Sequence, residues 1–148
     1  MIKEQLNIIK VGGAVVEDER SLVGLLMSFS SLRGKKILVH GGGKIATEMA
    51  AKLGVETQMI DGRRITSAEM LKVVTMVYGG LVNKNIVARL QALGVNAIGL
   101  TGADMNVIMS VKRPVELVNF GFVGDVKYVN VKALTSLLDA GAVPVLAP

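Results

Sequence analysis

The chain has 148 residues, a formal net charge of +5 and a mean hydropathy of +0.51. That length suits a single domain, and 51% hydrophobic residues supply enough apolar surface for a core. No apolar run approaches the roughly 18 residues that span a bilayer, so we expect a cytoplasmic protein without a membrane partner. The absence of cysteine excludes a disulfide framework, and a single histidine excludes a Cys/His metal cluster, whereas Mg²⁺ held by carboxylates stays open.

The basic charge raises the question of a nucleic-acid partner, since the isoelectric point is about 9.6. Aromatic residues make up only 3% of the chain, so platforms for stacking bases are scarce, and Lys and Arg are spread along the sequence. We therefore expect no nucleic-acid partner and favour solvated lysines around a site for a small anionic molecule. Binding of a polyanion is the alternative.

The first predicted element is a strand at Leu6–Val11, which ends at the glycine pair Gly12-Gly13. Lys10 directly precedes this pair. Acidic residues at 17–19 favour the start of a helix. Apolar residues then recur at i, i+3, i+4 and i+7 and form one core-facing stripe, which consists of Leu22, Leu25, Leu26 and Phe29.

Three consecutive glycines, residues 41–43, follow a second predicted strand at Lys36–Val39 and precede a helix that ends near Leu53. Glycines at such a junction let the backbone approach a ligand, and the helix directs its N–H groups and the positive end of its dipole toward it. The pattern therefore favours an anion site, with a tight connection that binds nothing as the alternative. The alternation of strands and helices also predicts a parallel sheet of right-handed βαβ units.

The next segment places two adjacent arginines, Arg63 and Arg64, in a turn-rich loop. Thr66 and Glu69 have the spacing of a capping box, so we expect a helix to start there. That helix, from Ser67 to Tyr78, has almost no polar face and needs apolar neighbours on two sides. We expect the sheet on one side and a second subunit, related by a two-fold axis, on the other. Coverage by the rest of the same chain is the alternative.

The remaining chain predicts two more helices, two more buried strands and a region of short antiparallel strands. Gly79-Gly80 should break the preceding helix, and the next helix carries an apolar stripe at Val82, Ile86, Leu90 and Leu93. Asn130 should cap the last helix. Buried strands are predicted at 96–100 and 143–146, and short antiparallel strands at 107–111, 115–118 and 126–129. Because the sequence ends on an apolar strand, we expect a chain cut in mid-fold.

Six motifs, in order and at consistent spacing, make the chain similar to a known family. It closely resembles the N-terminal part of the acetylglutamate kinases, a branch of the amino acid kinase family. The motifs are Ile9–Gly13, Val39–Gly43, Arg64–Thr66, Val82–Lys84, Gly99–Asp104 and Gly121–Gly124. The resemblance implies an α/β fold, a three-layer αβα sandwich with a mainly parallel central sheet, plus a small β-hairpin region.

The resemblance also implies a function. Enzymes of this branch use ATP with Mg²⁺ to phosphorylate the γ-carboxylate of N-acetyl-L-glutamate, or another N-acylglutamate, in arginine biosynthesis. Residues 1–148 would form the N-terminal lobe, which binds the acylglutamate and takes part in a homodimer. The C-terminal lobe, which binds the nucleotide, would be absent from this chain, so we expect no turnover from these residues alone.

The motifs carry site residues by position. Lys10 corresponds to the lysine that neutralises charge on the transferring phosphoryl group, and Gly12 and Gly13 match the loop whose N–H groups meet the ATP phosphates. Gly42 and Gly43 match the backbone that binds the acylglutamate, and Arg64 the arginine that grips its α-carboxylate. Read without the family, these residues suit phosphoryl transfer, which depends on fixed positive charge and N–H dipoles around the γ-phosphate. A guanidinium can also hold a carboxylate bidentately.

Two other polar residues are expected to be structural. His40 is interpreted as a packed or hydrogen-bonded residue at a strand end, because an ionised carboxylate nucleophile needs no base to remove a proton. Asp104 is expected to hold the loop at the sheet edge.

Three alternative functions stay open at this point. One is another amino acid kinase, acting on carbamate, glutamate, aspartate or a nucleoside monophosphate. Another is a ligand-binding module of the same fold without catalysis. A dinucleotide-binding domain is the least favoured, because G-x-G-x-x-G follows neither early strand.

Overall fold

The structure, a computed structural model, describes residues 5–148. None of the helices in these residues is both long and apolar enough to cross a membrane. In chain order the elements are β1 (Leu6–Val11), α1 (Gly13–Glu17), α2 (Glu19–Ser31), β2 (Lys35–His40), α3 (Gly43–Lys52), β3 (Gln58–Ile60), β4 (Arg63–Ile65), α4 (Ala68–Val74), a π-helical segment (Thr75–Val82), α5 (Asn83–Ala92), β5 (Ala97–Leu100), a 3₁₀ turn (Asp104–Asn106), β6 (Ile108–Lys112), β7 (Gly124–Val129), α6 (Val131–Asp139) and β8 (Val143–Leu146).

The central sheet has four parallel strands in the order β1-β2-β8-β5. β1 and β2 pair along their whole length, up to Val11 opposite His40. Both strands therefore end at the same edge of the sheet, and the glycine turns that follow them emerge side by side.

Helices cover one face of the sheet, and a mixed layer covers the other. The first core contains residues of α1 to α5 and the π-helical segment, packed against strand residues such as Leu38 and Val145. The second core joins Ile37, Leu100 and Leu146 of the sheet to α6 and to Val107. This arrangement confirms the predicted three-layer sandwich with a mainly parallel sheet.

The helix after β4 differs from its prediction at both ends. Its N-cap is Ser67 rather than Thr66, since the Ser67 hydroxyl accepts a hydrogen bond from the Met70 N–H at 3.1 Å. Its path does not break at Gly79-Gly80, because α4, the π-helical segment and α5 follow one another without an intervening loop. A Cβ on Gly79 would lie 3.1 Å from the Thr101 methyl, so the missing side chain lets the helix pass close to the end of β5.

Two hairpins project from the sheet. β3 and β4 are joined by Asp61-Gly62, both with positive φ as a type I′ turn requires, so Arg63 and Arg64 lie on a strand and not in a loop. β6 and β7 confirm the predicted antiparallel strands at 107–111 and 126–129.

Residues 115–118 do not form the predicted strand. Val115 and Leu117 alternate as in a half-buried strand, but they are 59% and 100% exposed, so their alternation has no core to face. They lie in a loop, residues 113–123. The predicted stripe on α5 is likewise buried except at Leu93, which lies beyond the helix end and is 42% exposed. Asn130 caps α6 as predicted, by accepting from the Ala133 N–H at 3.1 Å.

Candidate functional site

The two glycine turns are in contact. The Gly41 N–H donates to the Val11 carbonyl at 3.0 Å, which fastens the second turn to the end of β1. A Cβ on Gly41 would lie 3.2 Å from the Gly13 nitrogen, and one on Gly13 would lie 3.8 Å from the nitrogens of both Gly42 and Gly43. The structure therefore brings together the two predicted backbone sites, and glycine is what permits so close an approach.

The N-terminus of α3 offers free N–H groups at this contact. Gly42 is its N-cap, with φ 146° and ψ 27°, and a Cβ there would lie 3.3 Å from a Val82 methyl. Neither the Gly42 nor the Gly43 N–H has an acceptor among residues 5–148, as expected for the first turn of a helix. The Lys44 N–H donates to the Glu17 carboxylate at 3.2 Å, so one anionic group of the chain already lies at this positive helix end.

Arg64 joins the hairpin β3–β4 to the same helix end. Its Nη2 donates to the Gly43 carbonyl at 2.8 Å and to the Thr47 hydroxyl at 3.0 Å, and its Nη1 lies 3.6 Å from the Met70 sulfur. The guanidinium is thus held beside Gly43 by groups that leave its positive charge unpaired.

Lys10 lies one residue before the end of β1, opposite Val39 of β2. Its side chain is exposed and has no hydrogen bond or ion pair with the other described residues. The structure therefore places Lys10 next to the glycine turns in the chain and in the sheet, but it brings the ammonium into contact with none of the other predicted site residues.

A cleft of about 820 Å³ lies between α4 and the loop 113–123, and Arg64 is part of its lining. Its lining includes three arginines, Arg63, Arg64 and Arg113, together with Tyr78 and Phe120. Arg113 forms an ion pair with Asp125 at 2.6 Å. That hydrogen-bonded pair lowers the pKa of the Asp125 carboxyl and raises that of the guanidinium. The volume suits a small-molecule ligand, and the charge of the lining suits an anionic one.

The loop 113–123 is fastened to the start of α4. The Thr66 N–H donates to the Phe120 carbonyl at 2.9 Å, and the Phe122 N–H donates to the Thr66 carbonyl at 2.8 Å. Gly121, between them, has φ +74°, and a Cβ there would overlap the Thr66 carbonyl oxygen. The residues that these two hydrogen bonds join, Thr66, Phe120 and Phe122, are part of the lining of the cleft.

His40 is packed and hydrogen-bonded, and Asp104 holds its loop at the sheet edge, as predicted. His40 is 2% exposed, and its ring contacts the Gly41 carbonyl and the Asn83 side chain at 2.8 and 3.1 Å. Burial disfavours the charged form of the imidazole and therefore lowers its pKa. Asp104 accepts from the Thr101 N–H and hydroxyl at 2.6 and 2.8 Å, and these bonds lower the pKa of its carboxyl.

Sequence reasoning missed three residues at this site: Glu17, Asn83 and Gly121. Glu17 was assigned to a helix start, although its carboxylate reaches the N-terminus of α3 instead. Asn83 and Gly121 belong to motifs that were recognised as patterns without a physical role. For Asn83 the sequence holds a usable signal, because it is an amide in the middle of an otherwise apolar helical stretch. An amide buried at such a position must be hydrogen-bonded.

Comparison with known proteins identifies the family. The sequence profile of the amino acid kinase family matches residues 5–148. The chain belongs to the amino acid kinase family. It is 67% identical to the acetylglutamate kinase of Phocaeicola vulgatus over 147 residues, which are 99% of this chain and 57% of that protein. It is 64% identical to the acetylglutamate kinase of Bacteroides thetaiotaomicron over the same length and shares of each chain. The chain thus spans less than three fifths of these relatives.

Solved structures show the same fold. A protein from Streptococcus mutans UA159 superposes with a TM-score of 0.81 at 24% identity, over 96% of this chain and 58% of that one. An N-acetylglutamate synthase from Neisseria gonorrhoeae, solved with coenzyme A and N-acetyl-glutamate, superposes with a TM-score of 0.74 at 21% identity. That match covers 97% of this chain and 33% of that one. At these identities the likeness carries the amino acid kinase fold alone.

Proposed function

We propose that this chain is the acylglutamate-binding lobe of an acetylglutamate kinase, in which ATP phosphorylates the γ-carboxylate of N-acetyl-L-glutamate. The observation that carries the proposal is the contact between the two glycine turns, with the Arg64 guanidinium 2.8 Å from the Gly43 carbonyl. Relatives that bear this name at 63–67% identity support it. The role in arginine biosynthesis follows from the same proposal.

The reaction transfers a phosphoryl group between two oxygen atoms. A γ-carboxylate oxygen of the substrate attacks the γ-phosphorus of ATP, the bond from that phosphorus to the β,γ-bridging oxygen breaks, and ADP leaves with the electron pair. No proton is removed from the nucleophile, so no general base is required. The protein's contribution is to hold two anions in line and to stabilise the charge on the transferring group.

The predicted site residues form two groups, one for the acylglutamate and one for ATP. The N–H groups of Gly42 and Gly43, at the positive end of α3, receive the acylglutamate, and Arg64 holds its α-carboxylate. Gly12 and Gly13 receive phosphate oxygens of ATP. Lys10, which has no competing partner among the described residues, neutralises charge on the group in transfer.

The donors around the turns fit phosphate oxygens better than they fit a metal. They are N–H groups and cations, and within residues 5–148 no three His, Asp or Glu side chains are grouped as a metal site. We therefore propose that Mg²⁺ enters with ATP, whose charge it neutralises, and that the chain's own residues contact the phosphates directly.

We also propose a homodimer that forms through the helix from Ser67 to Tyr78. One side of this helix is buried by the chain itself, at Met70, Val73 and Val77. Of its remaining apolar residues, Met76 is 54% exposed, whereas Leu71, 37% exposed, lines the cleft. A two-fold axis would cover Met76 with the same segment of a second copy.

A chimaera tests the proposed reaction. In it, this chain replaces the matched region of the Phocaeicola vulgatus acetylglutamate kinase, and ADP release is measured with N-acetylglutamate, glutamate, aspartate, carbamate and a nucleoside monophosphate as acceptors. We expect release with N-acetylglutamate only. Release with a different acceptor would replace the substrate assignment. Binding of N-acetylglutamate without transfer would favour a non-catalytic ligand-binding module.

A further inference from the structure

We propose that Asn83 and His40 form a positioning relay that aims the Gly42 N–H at the ligand. The relay is defined by three groups: the Asn83 amide, the His40 imidazole and the peptide unit between Gly41 and Gly42. Its effect on substrate binding rests on the function proposed above, whereas its geometry does not.

The Asn83 side chain is fully buried and its orientation is determined by its partners. Its Nδ2 lies 3.0 Å from the Val145 carbonyl and 3.1 Å from His40 Nε2. Its Oδ1 accepts from the Lys84 ammonium at 3.1 Å. An oxygen beside the ammonium and a nitrogen beside the Val145 carbonyl satisfy every partner, and the reverse assignment satisfies neither.

This orientation sets the tautomer of His40. Asn83 Nδ2 is a donor, so His40 Nε2 must accept and the ring proton must be on Nδ1. The Nδ1–H then donates to the Gly41 carbonyl at 2.8 Å. A ring with a proton on Nε2 would bring two donors face to face at 3.1 Å in a buried place.

The bond to the Gly41 carbonyl controls a neighbouring N–H group. The Gly41 carbonyl and the Gly42 N–H belong to one planar peptide unit, and no cis peptide bond occurs among residues 5–148, so the two groups point in opposite directions. When the imidazole holds the carbonyl inward, the Gly42 N–H points away from the core. The Gly41 N–H and the Gly42 carbonyl are bonded to Val11 and Ala46, but these groups belong to the neighbouring peptide units. The imidazole is the side chain that bonds to the peptide unit between the two glycines.

His40 is therefore a positioning residue and not a catalytic one. It contacts no reacting atom in the proposed mechanism and acts only through the Gly41–Gly42 peptide unit. Asn83 acts one step further away, through the ring. The relay links α5 to the turn across the carboxyl ends of β2 and β8, because Val145 belongs to β8.

The first test needs no mutation. His40 is the only histidine, so the imidazole nitrogen signals in an NMR spectrum of this chain belong to it alone. At neutral pH we expect a neutral ring with its proton on Nδ1. A ring protonated on Nε2 would overturn the relay.

Two variants then separate positioning from packing. In His40→Asn the side-chain amide lies near the position of Nδ1 and can still donate to the Gly41 carbonyl. In His40→Gln the amide reaches the position of Nε2, so it can still accept from Asn83 but loses the bond to Gly41. Both variants remove the ring and leave a neutral amide, so a merely structural role predicts similar effects for the two.

We expect the Gly42 amide signal to shift in His40→Gln and to stay near its original position in His40→Asn. In the chimaera described above, we expect the KM for N-acetylglutamate to rise about tenfold in His40→Gln and far less in His40→Asn, since one lost hydrogen bond is worth that much. Asn85→Gln, an exposed amide change on α5, is the control and should alter neither reading.

Equal Gly42 shifts and equal KM values for the two His40 variants would overturn the proposal, as would an unmoved Gly42 signal in His40→Gln. If the unmodified chimaera does not bind N-acetylglutamate, the proposed function fails. The tautomer and the Gly42 signal still decide the relay in that case. If neither variant folds, the ring tautomer of the unmodified chain decides it.

Discussion

Lys10 is the residue whose charge the proposed transfer step uses most directly. Its exposed ammonium has no partner among the described residues, so nothing in residues 5–148 offsets its attraction for a phosphoryl group. In the chimaera we expect Lys10→Ala to lower kcat by a factor of about 100, or roughly 3 kcal/mol, with a small change in KM. Steady-state kinetics measure both constants. Lys52→Ala, an exposed lysine at the end of α3, is the matched control. A normal kcat in Lys10→Ala would remove its assigned role.

Arg64 should act on binding and not on the transfer step. Arg64→Ala is expected to raise the KM for N-acetylglutamate at least tenfold, because hydrogen bonds to a charged group contribute about 1.5–3 kcal/mol. Arg64→Lys should restore little, since a single ammonium cannot replace a guanidinium that also spans the Gly43 carbonyl and the Thr47 hydroxyl. Titration calorimetry and kinetics on the chimaera measure the effect, with exposed Arg20→Ala as control. An unchanged KM in Arg64→Ala would exclude the carboxylate clamp.

Residue types could be predicted at this scale, but their partners could not. The spacing of the glycines alone predicts a close backbone approach, and the packed His40 follows from its place at the end of an apolar strand. The roles of Asn83 and Glu17 could not be predicted, because their hydrogen-bond partners are distant in the sequence and become neighbours only in the folded chain.

At the scale of the elements, the attachment of the loop 113–123 to Thr66 depends on one glycine, Gly121. Gly121→Ala should destabilise the fold and loosen this loop, because the new Cβ would overlap the Thr66 carbonyl oxygen as well as strain a backbone with φ +74°. Gly62→Ala is a close control, since Gly62 also has φ +74° but no atom within 4 Å of the added Cβ. The control should cost about 1 kcal/mol for the left-handed backbone alone.

The difference between the two variants measures the clash. We expect Gly121→Ala to cost about 1–3 kcal/mol more in the free energy of unfolding, the usual range for an inserted methyl in a packed place. Denaturant unfolding gives both values, and hydrogen exchange should show faster exchange at the Thr66 and Phe122 amides. Equal losses in the two variants would mean that the loop is not held by its contact with Thr66.

The helix from α4 to α5 shows where element prediction stops. A Gly-Gly pair ordinarily indicates the end of a helix, and here it lies in the middle of a continuous one. The Thr101 methyl just beyond β5 explains the choice of glycine, because a Cβ on Gly79 would lie only 3.1 Å from it. Local propensity favours a break, but Val77 and Val82 on either side of the pair are buried in the core, and this packing outweighs it.

At the scale of the whole molecule, the exposed apolar side of α4 and the π-helical segment predicts self-association. Met76→Lys should convert a dimer into a monomer, because it places a charge at the proposed two-fold contact. Analytical ultracentrifugation over a range of concentrations measures the change. Met27→Lys is the matched control, since Met27 on α2 is 55% exposed and Met76 is 54% exposed. An unmodified chain that stays monomeric at every concentration, or an unaffected dimer in Met76→Lys, would contradict the proposed interface.

The parallel sheet and its two covered faces could be predicted from the alternation of strands and helices, because short βαβ connections leave few other arrangements. The order of the strands could not. β8 lies between β2 and β5 although it is the last strand in the sequence, and this position depends on packing of Val145 and Leu146 in two separate cores.

The backbone of the loop 113–123 is also a place where the chain can be cut while the two fragments stay associated. Leu117 is fully exposed, while residues on both sides are anchored, through the pairing of β6 with β7 and of β8 with β2 and β5. A protease that cuts beside large apolar residues should nick the backbone there first. The two fragments would stay together through those strand pairings, so the molecule offers a natural point at which to assemble it from two separately produced polypeptides.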